Sequence, residues 1–174
     1  STSIPSLLHS ISIYSATCLS GGIQLMATLS VEEVALERAP WQSLQPLLDN
    51  CYPRPPRDVF HRVVAGSHQR QRLWVASNGD SLLGVVMLCP HSKGGHLDNL
   101  AVLPRARGQG IGQKLVQSLL QEVLRQGPAI VTLSTRIPRF FSPFGFQPCG
   151  QMADGSTAML ILLPNPAIPE FLAP

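Results

Sequence analysis

The chain has 174 residues, of which 44% are hydrophobic and 13% charged, and its formal net charge is +3. This length suits one domain whose core needs neither a metal nor disulfide bonds for stability. The mild charge argues against a broad basic face for nucleic acid, and no apolar run approaches the roughly 18 residues of a membrane span. We therefore expect no nucleic-acid partner and no membrane partner.

The two ends of the chain differ in composition from the middle. Residues 1–25 contain no Asp, Glu, Lys or Arg. They lack the charged start of a secretory signal and the arginines of a transit peptide. We interpret them as an uncharged N-terminal extension or leader, and we predict the domain over residues 26–164. Residues 165–174 are rich in proline, so this tail is expected to be extended.

The cysteines indicate the compartment. The chain has four of them, none in a Cys-x-x-Cys pair: Cys18, Cys51, Cys89 and Cys149. Zinc sites and disulfide frameworks use closely and regularly spaced cysteines, so we expect neither. Reduced thiols are typical of a cytosol-like compartment, and we predict a cytoplasmic protein without a metal cofactor.

The first half of the chain is predicted to contain one strand, two helices and a hairpin. Val31–Arg38 is the predicted strand, and Trp41–Cys51 has apolar residues at helical spacing. A second helical stripe follows a proline-rich break, at Asp58–Ala65. Arg72–Ala76 and Leu82–Leu88 are apolar runs on either side of an Asn-Gly dipeptide, which is typical of tight turns, so they should pair antiparallel.

The second half is predicted to continue with a fourth strand, His96–Leu103, and a long helix. The helix has a clear 3.6-residue apolar period and ends at Gly127-Pro128. The elements after it are predicted to be a strand, a short helix and two strands: Ala129–Leu133, Pro138–Phe144, Phe146–Met152 and Thr157–Leu163. This order predicts an α/β (α+β) fold.

A glycine-rich turn, Arg107-Gly-Gln-Gly-Ile-Gly112, joins the fourth strand to the long helix. Without Cβ atoms, its glycines let the backbone bend sharply and approach a ligand closely. The helix that follows begins with unsatisfied N–H groups and the positive end of its dipole, so the turn predicts an anion site. Lys114 lacks the flanking glycine and hydroxyl residue of a P-loop, and the glycine spacing is wrong for a dinucleotide fingerprint.

The turn resembles the motif of the GNAT acetyltransferase superfamily, which is Arg or Gln, two residues, Gly, one residue, then Gly or Ala. Arg107–Gly112 fits it at every fixed position, and Leu100-Ala-Val102 and Pro104 stand where that family has them. The family's second signature is matched by Phe140-Phe-Ser-Pro-Phe-Gly-Phe146. The resemblance covers Glu32 to Leu163. It implies the GNAT fold, a mixed central sheet of about seven strands with about four helices.

The resemblance also implies an N-acetyltransferase that uses acetyl-CoA. In that family the fourth and fifth strands splay apart, so the pantetheine arm can pair with the fourth strand while the turn holds the pyrophosphate. One strand N–H should also stabilise the developing oxyanion. The implied cofactor-binding residues are Leu100, Ala101, Val102, Arg107, Gly108, Gln109, Gly110, Ile111, Gly112 and Gln113.

Transfer to an amine needs a base that accepts the amine's proton. His96 stands where some family members carry a glutamate base, and a histidine that titrates near ~6.5 suits this task. Asp98 is the other candidate. Because side chains alternate along a regular strand, His96, Asp98, Leu100 and Val102 are expected to share one face.

The departing thiolate usually takes a proton from a tyrosine in the second signature. That position here is Phe141, which cannot donate a proton. Ser142, Tyr52 or a water could replace it, or the thiolate leaves unprotonated, since a thiol pKa lies near ~8.5. Phe140 and Phe141 are interpreted as a wedge between the short helix and the sheet.

The sequence says least about the acceptor, the substrate that would receive the acetyl group. The stretch from Leu133 to Phe141 resembles a branch of amino-acid acetyltransferases that includes N-acetylglutamate synthases. Arg54 and Arg136 could offer a carboxylate bidentate contacts. We expect a small-molecule amine or an amino acid as acceptor, with a peptide or protein amine as the alternative. A non-catalytic acyl-CoA-binding regulatory module is the other alternative, and the chain could act as a homodimer.

Overall fold

A computed structural model of the chain describes residues 28–51 and 71–164. Its strands are β1 (Leu29–Val34), β2 (Arg72–Asn78), β3 (Ser81–His91), β4 (Gly94–Val102), β5 (Ala129–Thr135), β6 (Gln147–Gln151) and β7 (Thr157–Leu163). Its α-helices are α1 (Trp41–Cys51), α2 (Ile111–Arg125) and α3 (Pro138–Phe141), with short 3-10 helices at Leu36–Arg38, Pro104–Ala106 and Ser142–Phe144. The predicted helix Asp58–Ala65 lies outside the described residues.

The seven strands form one mixed sheet in the order β1-β2-β3-β4-β5-β7-β6. All neighbouring strands are antiparallel except β4 and β5, which are parallel. A parallel pair needs a long crossover, and α2 supplies it, as in a βαβ unit. The predicted fold class is confirmed.

Two apolar cores, one on each face of the sheet, hold the helices in place. On one face α2 buries an apolar stripe with the 3.6-residue period seen in the sequence: Ile111, Leu115, Val116, Leu119, Leu120 and Val123. On the other face α1 buries Leu44, Leu47 and Leu48 against β2, β3 and β4. The two cores hold the sheet between α1 and α2. A side chain of β4 therefore points either toward α1 or toward α2.

Two predicted elements change type within their predicted range, and other strand ends shift by up to three residues. The predicted strand Val31–Arg38 ends at Val34, which pairs with Leu73, and the chain then turns into a 3-10 helix. Because the partner strand β2 begins at Arg72, β1 has almost no residues to pair with beyond Val34. The predicted helix Pro138–Phe144 is divided into α3 and the 3-10 helix Ser142–Phe144.

Gly94 allows the close approach of β4 and β5. Its φ is 141°, and a Cβ there would lie 2.0 Å from the carbonyl oxygen of Ile130 on β5. Any side chain would collide with backbone, which cannot move as a flexible side chain can. Glycine is therefore required where the parallel pair begins.

We expect Gly94→Ala to destabilise the protein by about 3 kcal/mol, because it combines an unfavourable φ with overpacking against β5. Gly150→Ala is the matched control, since Gly150 is an exposed strand glycine with no atom within 4 Å of an added Cβ. Urea unfolding of both variants measures the effect. Equal unfolding midpoints for the two variants would contradict the steric role of Gly94.

Candidate active site

The strands β4 and β5 separate to form a fork. They pair only between Gly94 and His96 on β4 and between Ile130 and Thr132 on β5. Within the described residues, β4 continues beyond His96 to pair with β3 alone. The splaying that the family resemblance implied is therefore present, and the fork opens toward the carboxyl ends of both strands.

The backbone direction at the open end of β4 follows from one hydrogen bond. The Leu103 N–H donates to the carbonyl oxygen of Leu83 at 2.8 Å. Peptide groups alternate in direction along a regular strand, so those of Ala101 also face β3, whereas those of Val102 face the fork. The Val102 peptide is therefore a group that an extended ligand in the fork would meet.

A β-bulge interrupts β4 just before the fork opens. Val85 lies opposite Ala101 and Met87 opposite Asp98, so β4 has one residue more than β3 in this interval. Asn99 takes up the excess with φ of 49°, in the left-handed region that asparagine tolerates better than most residues. The strand bends here and its side chains change sides.

The bulge corrects the expectation that four residues of β4 share a face. Asp98 lies opposite Met87, which belongs to the core under α1, and His96 is two residues away on the same side. Leu100 and Val102 instead pack against the core under α2. One inserted residue reverses every later side chain, so the prediction was wrong for Leu100 and Val102. His96 and Asp98 remain together on the α1 side.

His96 is held at the point where the fork begins. Its Nδ1 lies 2.8 Å from Oγ1 of Thr132, its partner in the parallel register. If Nδ1 carries the proton and donates to Thr132, Nε2 keeps a lone pair and can act as a base. Sequence reasoning missed Thr132, because only the register of β4 against β5 brings it to His96.

Asp98 lies beside this pair and close to a cysteine. Its carboxylate accepts a hydrogen bond from the Asn99 N–H at 2.9 Å, which secures it at the bulge. Burial, and to a smaller degree the Asp98 charge, raises the pKa of the Cys89 thiol. Cys89 therefore stays protonated at neutral pH and is unsuited to nucleophilic chemistry.

The glycine turn has the backbone geometry that its sequence predicts. Gly108 and Gly110 have φ of 75° and 77°, and a Cβ at either position would meet no atom within 4 Å. Gly110 caps α2, a helix of 15 residues, so the space in front of the turn adjoins the helix N-terminus. Gly112 faces inward, where an added Cβ would lie 3.2 Å from the Phe140 ring. Open space, N–H groups and a helix dipole suit the diphosphate of CoA.

The remaining predicted cofactor residues are at the surface or at the start of α2. Gln109 and Gln113 are exposed, and Ile111 is buried as the first residue of the helix. The Arg107 side chain turns back toward β4, where its Nε donates to the Val102 carbonyl oxygen at 3.1 Å. The Arg107 side chain is therefore directed toward β4, which leaves the main chain of Gly108 and Gly110 open in front of the turn.

The aromatic residues of the second signature are core residues. Phe141 is 4% exposed and packs edge-on against Phe140, with ring centroids 4.9 Å apart, and against Phe146 at 5.8 Å. This packing agrees with the proposed wedge. The Ser142 hydroxyl donates to the Pro138 carbonyl oxygen at 3.0 Å, so its proton is already engaged. The other candidate acid, Tyr52, lies outside the described residues.

Arg136 links the end of β5 to the turn between β6 and β7. Its Nη2 donates to the Asp154 carbonyl oxygen at 2.9 Å. Hydrogen bonds from Ser156, with a smaller contribution from Arg136, hold the pKa of the Asp154 carboxyl below its ordinary value. This neighbouring negative charge reduces the attraction of Arg136 for an acidic acceptor. Arg54, the other predicted contact, lies outside the described residues.

Two further observations concern the described residues 28–51 and 71–164. None of their helices is long and apolar enough to cross a membrane. They also contain no group of three or more His, Cys, Asp or Glu side chains that could hold a metal ion.

Residues 69–148 match the family model of the acetyltransferase (GNAT) domain. No curated protein sequence matches the chain. The fold resembles that of the ribosomal-protein-S18-alanine N-acetyltransferase from Escherichia coli, with a TM-score of 0.63 and 18% identity over 76% of this chain and 92% of that one. An IAA acetyltransferase from Bacillus cereus has a TM-score of 0.61 and 20% identity, over 78% of this chain and 99% of that one. An acyl-CoA N-acyltransferase from Pseudomonas aeruginosa has a TM-score of 0.63 and 19% identity, over 76% of this chain and 98% of that one.

The mixed sheet, the fork and the glycine turn define an N-acyltransferase fold. Together with the match of residues 69–148 to the family model, they show that the chain contains a GNAT acetyltransferase domain. The resemblance inferred from the turn motif is confirmed.

Proposed function

We propose that the protein transfers an acetyl group from acetyl-CoA to the amine of a small molecule or an amino acid, by direct attack of the amine on the thioester. The observation that carries this proposal is the fork, whose open end adjoins the glycine turn. One extended cofactor can place its diphosphate on the turn and its pantetheine arm along β4. The thioester would then lie between β4 and β5.

The cofactor would be held mostly by main-chain groups. The N–H groups from Gly108 to Gln113 adjoin the open space before α2, and the helix dipole favours negative charge there. Farther along, the Val102 N–H faces the fork. It would donate to the acetyl carbonyl as this becomes an oxyanion, an interaction worth ~3 kcal/mol.

His96 would be the general base, acting on the amine directly or through a water. Thr132 supports this role because it can fix the ring with Nε2 unprotonated. Asp98 lies on the same side of the sheet and would stabilise the imidazolium that forms, or accept the proton itself. Both side chains lie on the α1 side, so we expect the acceptor to approach from there.

The thiolate would leave without a side-chain acid from the second signature. Phe141 has no proton to donate, and the Ser142 proton is engaged with Pro138. Water can protonate the product, since the pKa of a thiol near ~8.5 makes a thiolate a tolerable leaving group. Ser142 remains a candidate only if its internal hydrogen bond breaks during the reaction.

The diphosphate site predicts the effect of a charge at Gly110. We expect Gly110→Glu to weaken CoA binding by at least about 100-fold, because it adds a negative charge and an unfavourable φ at the turn. Gly150→Glu adds the same charge on the exposed strand β6 and should bind CoA normally. Isothermal titration calorimetry with CoA measures both. An unchanged dissociation constant for Gly110→Glu would remove the turn from the cofactor site.

The proposed base predicts a loss of turnover without a loss of cofactor affinity. We expect His96→Gln to lower kcat by about 100-fold while leaving CoA affinity unchanged, since only proton transfer is lost. Thr132→Val should lower kcat less, because it removes only the group that orients the ring. Steady-state kinetics and CoA titration measure the two effects. Full kcat in His96→Gln would transfer the role to Asp98 or to water.

The acceptor class is tested by release of the CoA thiol from acetyl-CoA in the presence of different amines. We expect the highest kcat/KM with a small amine or a free amino acid. An alanine-initiated peptide represents the alternative acceptor, which the similarity to the S18-alanine acetyltransferase motivates. Preference for the peptide would overturn the small-molecule assignment. CoA binding without turnover on any amine would instead indicate a regulatory module.

A further inference from the structure

Cys51 ends α1, and its thiol touches two parts of the predicted cofactor site. Its Sγ lies 3.5 Å from the Val102 carbonyl oxygen and 3.6 Å from Nη2 of Arg107. The Nε of Arg107 donates to the same carbonyl oxygen at 3.1 Å. We call this ring of three contacts the Cys51 junction. It joins the last residue of α1, the last residue of β4 and the first residue of the glycine turn.

The three groups of the Cys51 junction can satisfy one another as hydrogen-bond donors and acceptors. The thiol can donate its proton to the Val102 carbonyl while its sulfur accepts from the Arg107 guanidinium. The carbonyl oxygen then accepts from both neighbours, which occupies its two lone pairs. The peptide carbonyl of Val102 is thereby withdrawn from any ligand in the fork, and only its N–H remains for the cofactor.

We propose that Cys51 and the Arg107 side chain are positioning residues that set the register between the glycine turn and β4. This inference rests on the proposed cofactor site. CoA must bind the turn with its diphosphate and β4 with its pantetheine arm, so its affinity depends on the spacing of the two. A ligand that occupies the turn alone does not depend on that spacing.

The junction also connects the cofactor to the acceptor side. Cys51 is the last residue of α1, and α1 covers the face of the sheet that carries His96 and Asp98. A shift of the turn would therefore be transmitted to the end of α1 through the two contacts of the Cys51 thiol, with Val102 and with Arg107. From the sequence alone Cys51 is only a reduced thiol, because 51 and 56 residues separate it from Val102 and Arg107.

The test compares CoA with adenosine diphosphate, which carries a diphosphate but no pantetheine. Cys51→Val keeps the size of the side chain and removes both polar contacts. We expect its dissociation constant to rise about fivefold for CoA and less than twofold for adenosine diphosphate. Cys51→Ser retains a donor and an acceptor and should restore CoA affinity. Cys149→Val, at an exposed cysteine on β6, is the matched control.

A second variant keeps the proposal testable if Cys51→Val folds poorly. Arg107→Lys retains the charge but cannot make the two-point contact, so it should show the same selective loss for CoA. Because either substitution breaks the ring, the double variant should lose no more than twofold beyond the worse single variant. Thermal melting of each variant reports its stability separately from binding.

The outcomes are distinct. Equal losses for CoA and adenosine diphosphate, or wild-type CoA affinity in both single variants, would overturn the positioning role and leave the proposed cofactor site intact. Failure of the unmodified protein to bind CoA would overturn the cofactor site and the positioning role together. A loss confined to CoA and reversed by Cys51→Ser would support the register mechanism.

Discussion

The short pairing of β4 with β5 is the constraint on which the rest of the site depends. Gly94 lets the two backbones approach so closely that only hydrogen fits between them, and the ladder ends at His96. Beyond that point β4 and β5 do not pair within residues 28–51 and 71–164, whereas a continuous sheet would keep their ladder. An extended ligand with its own amide groups can replace that ladder, which is the chemistry that pantetheine offers.

In the proposed site, main-chain groups would bind the cofactor and side chains would transfer protons. The glycine turn and the end of β4 present peptide groups, which suit a cofactor whose position must be exact and whose contacts are the same at every turnover. His96, Asp98 and Thr132 present side chains on the other side of the bulge, where proton transfer would occur. Phe140 and its aromatic neighbours contribute packing alone, and they fix α3 against the turn through Gly112.

Features that depend on local pattern were predictable from the sequence. The helical stripe of α2 and the sharp glycine turn follow from neighbouring residues, and the mixed seven-stranded sheet with its splayed β4 and β5 followed from the family resemblance. The orientation of Leu100 and Val102 did not, since an alternating strand gives no sign that Asn99 will adopt a left-handed conformation. Thr132 and Cys51 were missed for a different reason. Their partners are distant in sequence and meet only when register and helix packing are known.

The bulge at Asn99 has a consequence for how such a protein can change over evolutionary time. His96 and Asp98, before it, point to the side from which an acceptor would come, whereas Leu100 and Val102, after it, pack against the core under α2. Substitutions at the first two positions can therefore alter the chemistry on the acceptor side with little effect on folding, whereas those at Leu100 and Val102 mainly affect stability. The extra residue at Asn99 thus places these two pairs on opposite faces of one strand.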